Sequence, residues 1–284
     1  MTSARAIRTV HTVAALRAQV SRWRAAGERI ALVPTMGALH AGHVALMDAA
    51  RETADRIIVS IFVNPTQFAP TEDLSRYPRT LEADLEKAAS AGVELAFVPN
   101  VDEMYPEGFC TTVSLDGPAL GLETAFRPTH FAGVATVVAK LLIQSLPDIA
   151  LFGEKDYQQL QVISRLARDL DLPVEVVGVP TVREADGLAL SSRNVYLSAT
   201  ERAAAPALYR ALTAAAFRIA RESTTADAVE EARAAIVAAG FELDYVEARH
   251  AETLAPIASS MEGPVRLLVA ARIGSTRLID NVAA

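Results

Sequence analysis

The sequence predicts an α/β protein: a doubly wound parallel sheet followed by a second, smaller α+β domain. Three observations carry this. Strand-like and helix-like runs alternate from Ile30 to Val179, a pattern that gives a parallel sheet with helices on both faces. The apolar run Ile30–Val33 ends at Pro34 and leads, through a loop holding Gly37 and Gly42, into helically spaced Val44, Met47, Ala50 and Ala54, so strand, glycine-bearing turn and helix follow one another. After Pro180 the texture changes to two alanine-rich helices and three strand-like runs. The expected domains are therefore 1–180 and 181–284.

The elements follow in order. An arginine-bearing lead-in precedes an amphipathic helix with Val13, Leu16 and Val20. Ile30–Val33 is the first strand, and a helix starts near His43. Arg56–Val63, rich in β-branched residues, is a buried strand that runs into the polar loop Asn64–Phe68. Residues 70–80 are polar, Thr80 is placed to cap a helix reaching about Ala91, and Gly92 ends it before the strand Val93–Val98. Residues 99–133 are less regular, with a short strand near Thr111–Leu115 and the segment Arg127-Pro-Thr-His-Phe-Ala-Gly133. A helix then carries Val134, Val137, Val138, Leu141 and Leu142 on one face. Ile149–Phe152 is a strand entering Gly153-Glu-Lys-Asp156, followed by a helix with Leu160, Ile163, Leu166 and Leu170, and by the strand Val174–Val179. Beyond the loop Arg183–Asn194 come helices over 200–221 and 225–239 and strands Phe241–Ala248, Val265–Arg272 and Thr276–Asp280.

Composition narrows the function classes. The 284 residues are 51% apolar and only 6% aromatic, so the core is mostly aliphatic. A net charge of −7 lacks the basic footprint of a nucleic-acid binder. The single cysteine, Cys110, excludes an intramolecular disulfide and argues against a cysteine zinc site. No apolar run is long enough to span a membrane and no secretory apolar core is present, which makes a cytoplasmic protein the default. Of 27 basic residues only Lys87, Lys140 and Lys155 are lysine; in a chain that otherwise uses arginine, each raises a question of chemistry.

Four loops concentrate polar residues: 34–43, 64–68, 153–159 and 183–194. Three directly follow strands, where open α/β sheets bind ligands. Together they offer His40, His43, Asn64, Gln67, Lys155, Asp156, Gln159, Ser191, Ser192 and Arg193. Lysine and arginine answer charge spread over phosphate oxygens, a helix start near His43 suits a phosphate, and Gly42 lets backbone approach a ligand closely. The inventory suits a polyphosphate beside a polar small molecule. No Walker A loop, Ser-His-Asp pattern or nucleophilic cysteine is evident. Taken singly, the residues have plainer readings: His40 and His43 as a surface or metal-binding pair, Gln67 and Gln159 as ordinary polar residues, Ser191-Ser192 as a helix cap, Lys155 as a surface lysine, His130 as a cap or core residue, Asp84 as a solvated helix residue.

His40-Ala-Gly-His43 resembles the His-x-Gly-His signature of the nucleotidyltransferase superfamily. Val33-Pro-Thr-Met-Gly-Ala-Leu-His-Ala-Gly-His43, Phe62-Val-Asn-Pro-Thr-Gln-Phe68, Arg127–Gly133, Phe152-Gly-Glu-Lys-Asp-Tyr-Gln-Gln159 and Arg183–Asn194 together resemble the pantoate–β-alanine ligase family over essentially the whole chain. The resemblance implies a Rossmann-like domain that binds ATP and pantoate, a homodimer, and magnesium accompanying the ATP; the C-terminal domain is expected to act as a lid, because Ser191, Ser192 and Arg193 lie on the loop that enters it while the other candidates precede Pro180. It implies attack of the pantoate carboxylate on the α-phosphorus of ATP, then attack of the β-alanine amine on the acyl adenylate. Carried over, ATP contacts fall on Met36, Gly37, His40, Gly42, His43, Gly153, Glu154, Lys155, Asp156, Val182, Leu190, Ser191, Ser192 and Arg193. The catalytic residues would be His43 as proton donor, with His40, Lys155 and Arg193. Pantoate would meet Gln67, Gln159 and Asn64, β-alanine would meet Gln67, and Asp84 would stand near magnesium. Gly187 is placed to absorb the backbone change of lid closure, and Asp186-Gly187 also reads as a plain turn. The alternative is an adenylyltransferase of another cofactor pathway. In one departure, Leu190 stands where the family has methionine before Ser-Ser-Arg; the two side chains have nearly equal volume. Leu190→Met is therefore expected to be nearly silent, and a tenfold change in the KM for ATP is the result that contradicts this.

Overall fold

The computed structural model describes residues 7–68, 74–222 and 224–284; most of the lead-in and part of the polar stretch 70–80 lie outside them. The chain divides into two compact units. The first takes the described residues of Met1–Leu115, Thr129–Glu154 and Val162–Pro180, the second Asp116–Pro128, Lys155–Gln161 and Thr181–Ala284.

The first unit is built on six parallel strands: β1 (Arg8–Val10), β2 (Ile30–Thr35), β3 (Arg56–Ile61), β4 (Leu95–Phe97), β5 (Ile149–Gly153) and β6 (Glu175–Val179), in the order β1-β4-β3-β2-β5-β6. Alternation decides the two faces. Ala31, Val33, Ile57, Val59, Ile61, Ile149 and Leu151 share one core with Leu46, Met47 and Ala50 of the helix Ala41–Thr53 and Ala88 of the helix Leu81–Ser90. Ile30, Leu32 and Ile58, one residue out of step, are equally buried on the other face, where the helix His130–Ser145 packs on β2 and on the helix Val13–Ala25. The strand order runs outward in both directions from β2, so β2 and β5 flank the point where the connections reverse, the place at which ligand crevices form.

Pro34 does not end the first strand. It pairs with Ser60 of β3, and it is tolerated because pairing of β2 with β5 stops at Leu32, leaving no second ladder for its missing N–H to break. β1 has no signal in the sequence: three residues in an arginine-rich lead-in, formed only by pairing with β4. The strand expected near Thr111–Leu115 does not form; Val113 donates its N–H to Thr136 Oγ1 at 2.9 Å, and Val113 and Leu115 pack against Ala135, Ala139 and Leu166 instead.

The second unit carries three antiparallel strands, β7 (Glu242–His250), β8 (Val265–Ile273) and β9 (Thr276–Ala283). Val265, Leu267, Val269, Ala271 and Ile273 face the helices Ala207–Glu222 and Ala226–Ala238. Leu268 and Ala270, on the other face, pack with Leu122, Tyr245 and Leu254. The helix expected over 200–221 is two, Ala199–Ala204 and Ala207–Glu222, because Pro206 cannot donate a helical hydrogen bond.

On that second face lies a buried ion cluster. Arg277 forks onto both oxygens of Glu123 at 2.7 and 2.8 Å and donates from Nε to Asp244 at 2.6 Å. Asp244 sits where the β7–β8 register shifts, and Tyr245 gives its hydroxyl to Glu123 at 2.9 Å. Burial pushes the Glu123 carboxyl up, but the hydrogen bonds and charge of Arg277 reverse this and hold it down at about 2. The folded-state value lies below the unfolded one, so this contribution is complete above an ordinary carboxyl value and is lost as pH falls toward 2. Removing one partner of such a pair costs about 3–5 kcal/mol. The Glu123→Gln variant should show a matching loss in denaturant midpoint near neutrality, and its deficit relative to the natural chain should shrink as pH falls from about 4.5 to 2. A deficit that does not change over that range would contradict the assignment.

Candidate active site

The turn after β2 is fixed by one carboxylate. Asp84, in the first turn of the helix Leu81–Ser90, is 1% exposed. Its Oδ2 accepts from the Ala38 N–H at 2.9 Å and its Oδ1 from the Leu39 N–H at 2.8 Å. Thr80, expected to cap the helix, makes no side-chain cap bond and turns its hydroxyl to Asp84 at 3.2 Å. Lys87 Nζ donates to the Leu39 carbonyl at 2.7 Å. The turn carries two residues at positive φ, Gly37 at 83° and Ala38 at 51°. A Cβ on Gly37 would come within 3.1 Å of Asp84 Oδ2 and 3.2 Å of Ile61, so glycine is required there on both conformation and space. Asp84 is thus a buried residue and not a solvated helix residue. Both its oxygens are committed to the turn, a lysine stands one helical step away, and among the described residues no three His, Cys, Asp or Glu side chains gather to hold a metal.

The helix after the turn begins at Ala41, ahead of the start expected near His43, with His40 as N-cap and His43 as its third residue. The two histidines cap it reciprocally. His40 Nδ1 accepts from the Gly42 N–H at 3.1 Å, and His43 Nδ1 accepts from the His40 N–H at 3.2 Å. The rings lie 4.2 Å apart between centroids. A Cβ on Gly42 would lie 2.9 Å from His40 Cε1 and 3.0 Å from its Nδ1, so Gly42 makes room for the His40 ring. The His-x-Gly-His spacing is a capping-box spacing with imidazoles in place of hydroxyl and carboxylate.

The loop after β3 is organised by Asn64, which is 0% exposed. Its Oδ1 accepts from the Thr66 N–H at 3.3 Å and from the Tyr105 hydroxyl at 2.9 Å. Its Nδ2 donates to the Gly133 carbonyl at 3.3 Å and to Gln67 Oε1 at 2.9 Å. A backbone donor and a backbone acceptor fix which end of the Asn64 amide is which, and that fixes Gln67: its oxygen accepts, so its Nε2 is the donating end. Asn64 therefore holds Gln67. Burial pushes the Tyr105 phenol up, against its hydrogen bonds with Thr66 and Asn64, so it stays a donor. His130, at the start of the helix His130–Ser145, donates from Nδ1 to the Gln67 carbonyl at 3.0 Å. At Gly133 any Cβ would strike the Thr66 carbonyl oxygen at 2.3 Å. The Arg127–Gly133 motif thus seats the 64–68 loop through His130 and Gly133. β2 and β3 pair in register to Thr35 and Ile61, so both loops leave one edge of the sheet, with Gly153 and Glu154 at the end of β5.

In the second unit, the Lys155 carbonyl accepts from Asn281 Nδ2 at 2.9 Å, and the Lys155 ammonium stands 3.8 Å from Asp156. Tyr157 lies under the Arg266 guanidinium at 4.0 Å. Gln158 is consumed structurally, accepting from the Glu123 N–H at 3.1 Å and donating to the Pro118 and Gly121 carbonyls; of the adjacent glutamines, half-buried Gln159 remains the ligand candidate. The Val182 carbonyl accepts from the Leu190 N–H at 3.0 Å. Ser191 Oγ accepts from the Arg193 N–H at 3.3 Å and caps the short turn Ser192–Tyr196. The 183–189 loop is clamped: Arg183 forks onto Asp280 at 2.7 and 2.8 Å and stacks on Tyr209 at 3.8 Å. Gly187 is at φ 94°, and a Cβ there would meet Tyr209 at 2.5 Å, so it is a glycine in a packed turn. Tyr105, Lys87, Asp280 and Asn281 carry no mark in the sequence; their partners are 41, 48, 97 and 126 residues away, and no local pattern points to them.

Comparison with known proteins finds relatives over the whole length. A family model described as pantoate-beta-alanine ligase matches residues 8–283. The chain is 58% identical to the pantothenate synthetase of Bradyrhizobium sp., over 97% of this chain and 98% of that one, and 59% identical to that of Mesorhizobium japonicum, over 96% of each. The crystal structure of pantothenate synthetase from Thermus thermophilus superposes with a TM-score of 0.91 at 52% identity, covering 97% and 99% of the two chains. Pantoate-beta-alanine ligase from Francisella tularensis, solved with beta-gamma ATP and beta-alanine, gives 0.81 at 34%, covering 98% of each.

Asp84→Asn swaps one carboxylate oxygen for an N–H donor facing a backbone N–H. It should cost about 1–3 kcal/mol of stability and raise the KM for ATP, while leaving the magnesium concentration for half-maximal activity unchanged. A shifted magnesium requirement in a magnesium titration would restore Asp84 as a ligand.

Proposed function

Since the chain belongs to the pantoate-beta-alanine ligase family, we infer that it catalyses the ATP-dependent condensation of D-pantoate with β-alanine, releasing AMP and pyrophosphate. It is a carbon–nitrogen ligase of pantothenate biosynthesis. The observation that carries the reading is the family match across residues 8–283, with the His40-Ala-Gly-His43 turn prebuilt at the carboxyl edge of the sheet.

The reaction proceeds in two steps. A pantoate carboxylate oxygen bonds to the α-phosphorus, and the bond to the β-phosphate oxygen breaks with its electron pair leaving on pyrophosphate. The β-alanine amine then bonds to the acyl carbon, AMP departs with the acyl–oxygen electron pair, and the amine gives up a proton. The first step places most of its demand on positioning and on neutralising phosphate charge. Met36, Gly37, His40, Gly42 and His43 serve ATP, as do Gly153, Glu154, Lys155 and Asp156. Val182, Leu190, Ser191, Ser192 and Arg193 complete the nucleotide set, Lys155 and Arg193 answering the phosphates. Gln67 and Gln159 hold pantoate, Gln67 through its Nε2, and Gln67 also meets β-alanine. Asn64 is supported as a positioning residue behind Gln67. Magnesium enters with ATP, held chiefly by phosphate oxygens and water as this ion commonly is. A cytoplasmic homodimer completes the reading, supported by the family resemblance and by a nucleotide substrate made in that compartment.

Pyrophosphate exchange into ATP tests the first half-reaction. Exchange should require pantoate and not β-alanine; its absence would overturn the reading. Lys155→Ala should lose at least ~2 kcal/mol of transition-state stabilisation, roughly 30-fold in kcat/KM for adenylation. A near-natural rate would remove Lys155 from the catalytic set.

A further inference from the structure

Lys155 is held by its backbone from the far end of the sequence. Asn281, in β9 and 2% exposed, donates from Nδ2 to the Lys155 carbonyl at 2.9 Å. Its Oδ1 accepts from Nε of Arg266, in β8, at 2.7 Å. A guanidinium only donates and a carbonyl only accepts, so the Asn281 amide has a single orientation. Across the β8–β9 ladder Arg266 pairs with Ala283 and Asn281 with Leu268, which makes Arg266 and Asn281 diagonal neighbours on one face of the small sheet. On that face Arg266 also lies over the Tyr157 ring at 4.0 Å, so the chain at residues 155–157 is held at two points. Asp280, also buried, is one strand step away and points to the opposite face; there it takes the fork of Arg183. One step of β9 thus serves two of the polar loops of the second unit, and Asn281 is the half that serves Lys155.

We propose that Asn281 is a positioning residue for adenylyl transfer: by holding the Lys155 carbonyl it aims the Lys155 ammonium. This rests on the ligase reading and deepens it. The choice of side chain carries the argument. A carboxylate at position 281 would give Arg266 a stronger, charge-assisted partner, yet an amide stands there. Only an amide offers an acceptor to the guanidinium and a donor to the Lys155 carbonyl at once, so the position is suited to the hold on Lys155 and not to an ion pair. The carbonyl carbon is one bond from the Lys155 Cα. Fixing the carbonyl therefore fixes how the side chain leaves the backbone. A lysine stem is flexible and its ammonium is a point charge without a fork of its own, so the tip keeps its place only if the root does. The effect falls on the transition state, where charge on the phosphate oxygens changes, more than on the binding of ATP. A shift of about 1 Å at the ammonium is enough to cost about a hundredfold in rate.

Pantoate-dependent pyrophosphate exchange by the full-length protein, measured per folded molecule, tests this. Asn281→Asp keeps an acceptor for Arg266 and removes the donor to Lys155. Asn281→Ser removes both bonds without adding charge, and stands in if the first variant folds poorly. Each should lower kcat about 10- to 100-fold while the KM for ATP moves by less than about twofold. In a Lys155→Ala background the same substitutions should cost no more than about twofold, because an ammonium already absent cannot be misaimed. Asp280→Asn is the comparison: it disturbs the same strand without removing the donor to the Lys155 carbonyl, and its loss should be as large in Lys155→Ala as alone. Asn281 losses undiminished in the Lys155→Ala background would overturn the proposal. So would a loss confined to the KM for ATP, or an Asp280→Asn loss that vanishes in that background as fully as the Asn281 losses do, since the coupling would then report damage to β9 and not the hold on Lys155. Failure of the natural chain to exchange at all overturns the ligase reading itself, whereas additive losses in an exchanging enzyme overturn only this proposal.

Discussion

The two bonds from Ala38 and Leu39 to the Asp84 carboxylate are the interaction on which the first unit's chemistry depends. A turn with consecutive residues at positive φ is not a conformation a free chain holds, and a non-glycine residue such as Ala38 is strained in it. A buried carboxylate accepting two successive N–H groups supplies charge-assisted bonds that settle the turn before any ligand arrives. With the turn fixed, His40 is delivered to the N-cap position, its ring folds over Gly42, and His43 closes the cap from inside the helix.

The loop after β3 follows the same logic with neutral groups. Asn64 is unexposed and reads backbone at both ends of its amide, which leaves Gln67 one orientation. Tyr105 from one side, His130 and Gly133 from another, hold the loop to the helix His130–Ser145. In the second unit, the segments around Glu123 and Gln158 are tied to one face of the small sheet by a buried ion cluster, and Asn281 and Arg266 hold the chain around Lys155 and Tyr157. A cut at 180 would separate Lys155–Gln161 from those partners. Residues proposed to touch substrate are thus a small part of the machinery; most of the buried polar chemistry goes into aiming them.

Apart from β1, the sheet is legible in the sequence because its central strands are continuous apolar runs buried on both faces, and the loops are legible because their polar residues lie just beyond those strands. What is not legible is long range. Nothing near Asp84 in sequence indicates that its partners are Ala38 and Leu39, and its position in a helical pattern suggests solvent. Asn64 reads as a ligand contact because it sits in the right loop, and no local pattern shows that it is buried and holds Gln67. Helix starts mislead where capping is unconventional: His40 takes the role usually given to serine or aspartate, and Thr80, the conventional choice, turns to Asp84. Pro34 misleads in the opposite direction, since a proline in a strand is excluded only where a second neighbour needs its N–H.

The scarcity of lysine has a practical side. Lys87 grips the Leu39 carbonyl of the turn after β2, Lys140 lies over the Phe109 ring at 4.8 Å, and Lys155 belongs to the proposed nucleotide set. Amine-directed chemistry, whether surface immobilisation, fluorophore coupling or acylation in the cell, has few places to land on this arginine-rich surface, and two of its three side-chain targets hold or serve the nucleotide loops. Random amine coupling therefore falls on side chains at the loops proposed to hold the nucleotide. Attachment through exposed Cys110 would leave all three amines as they are.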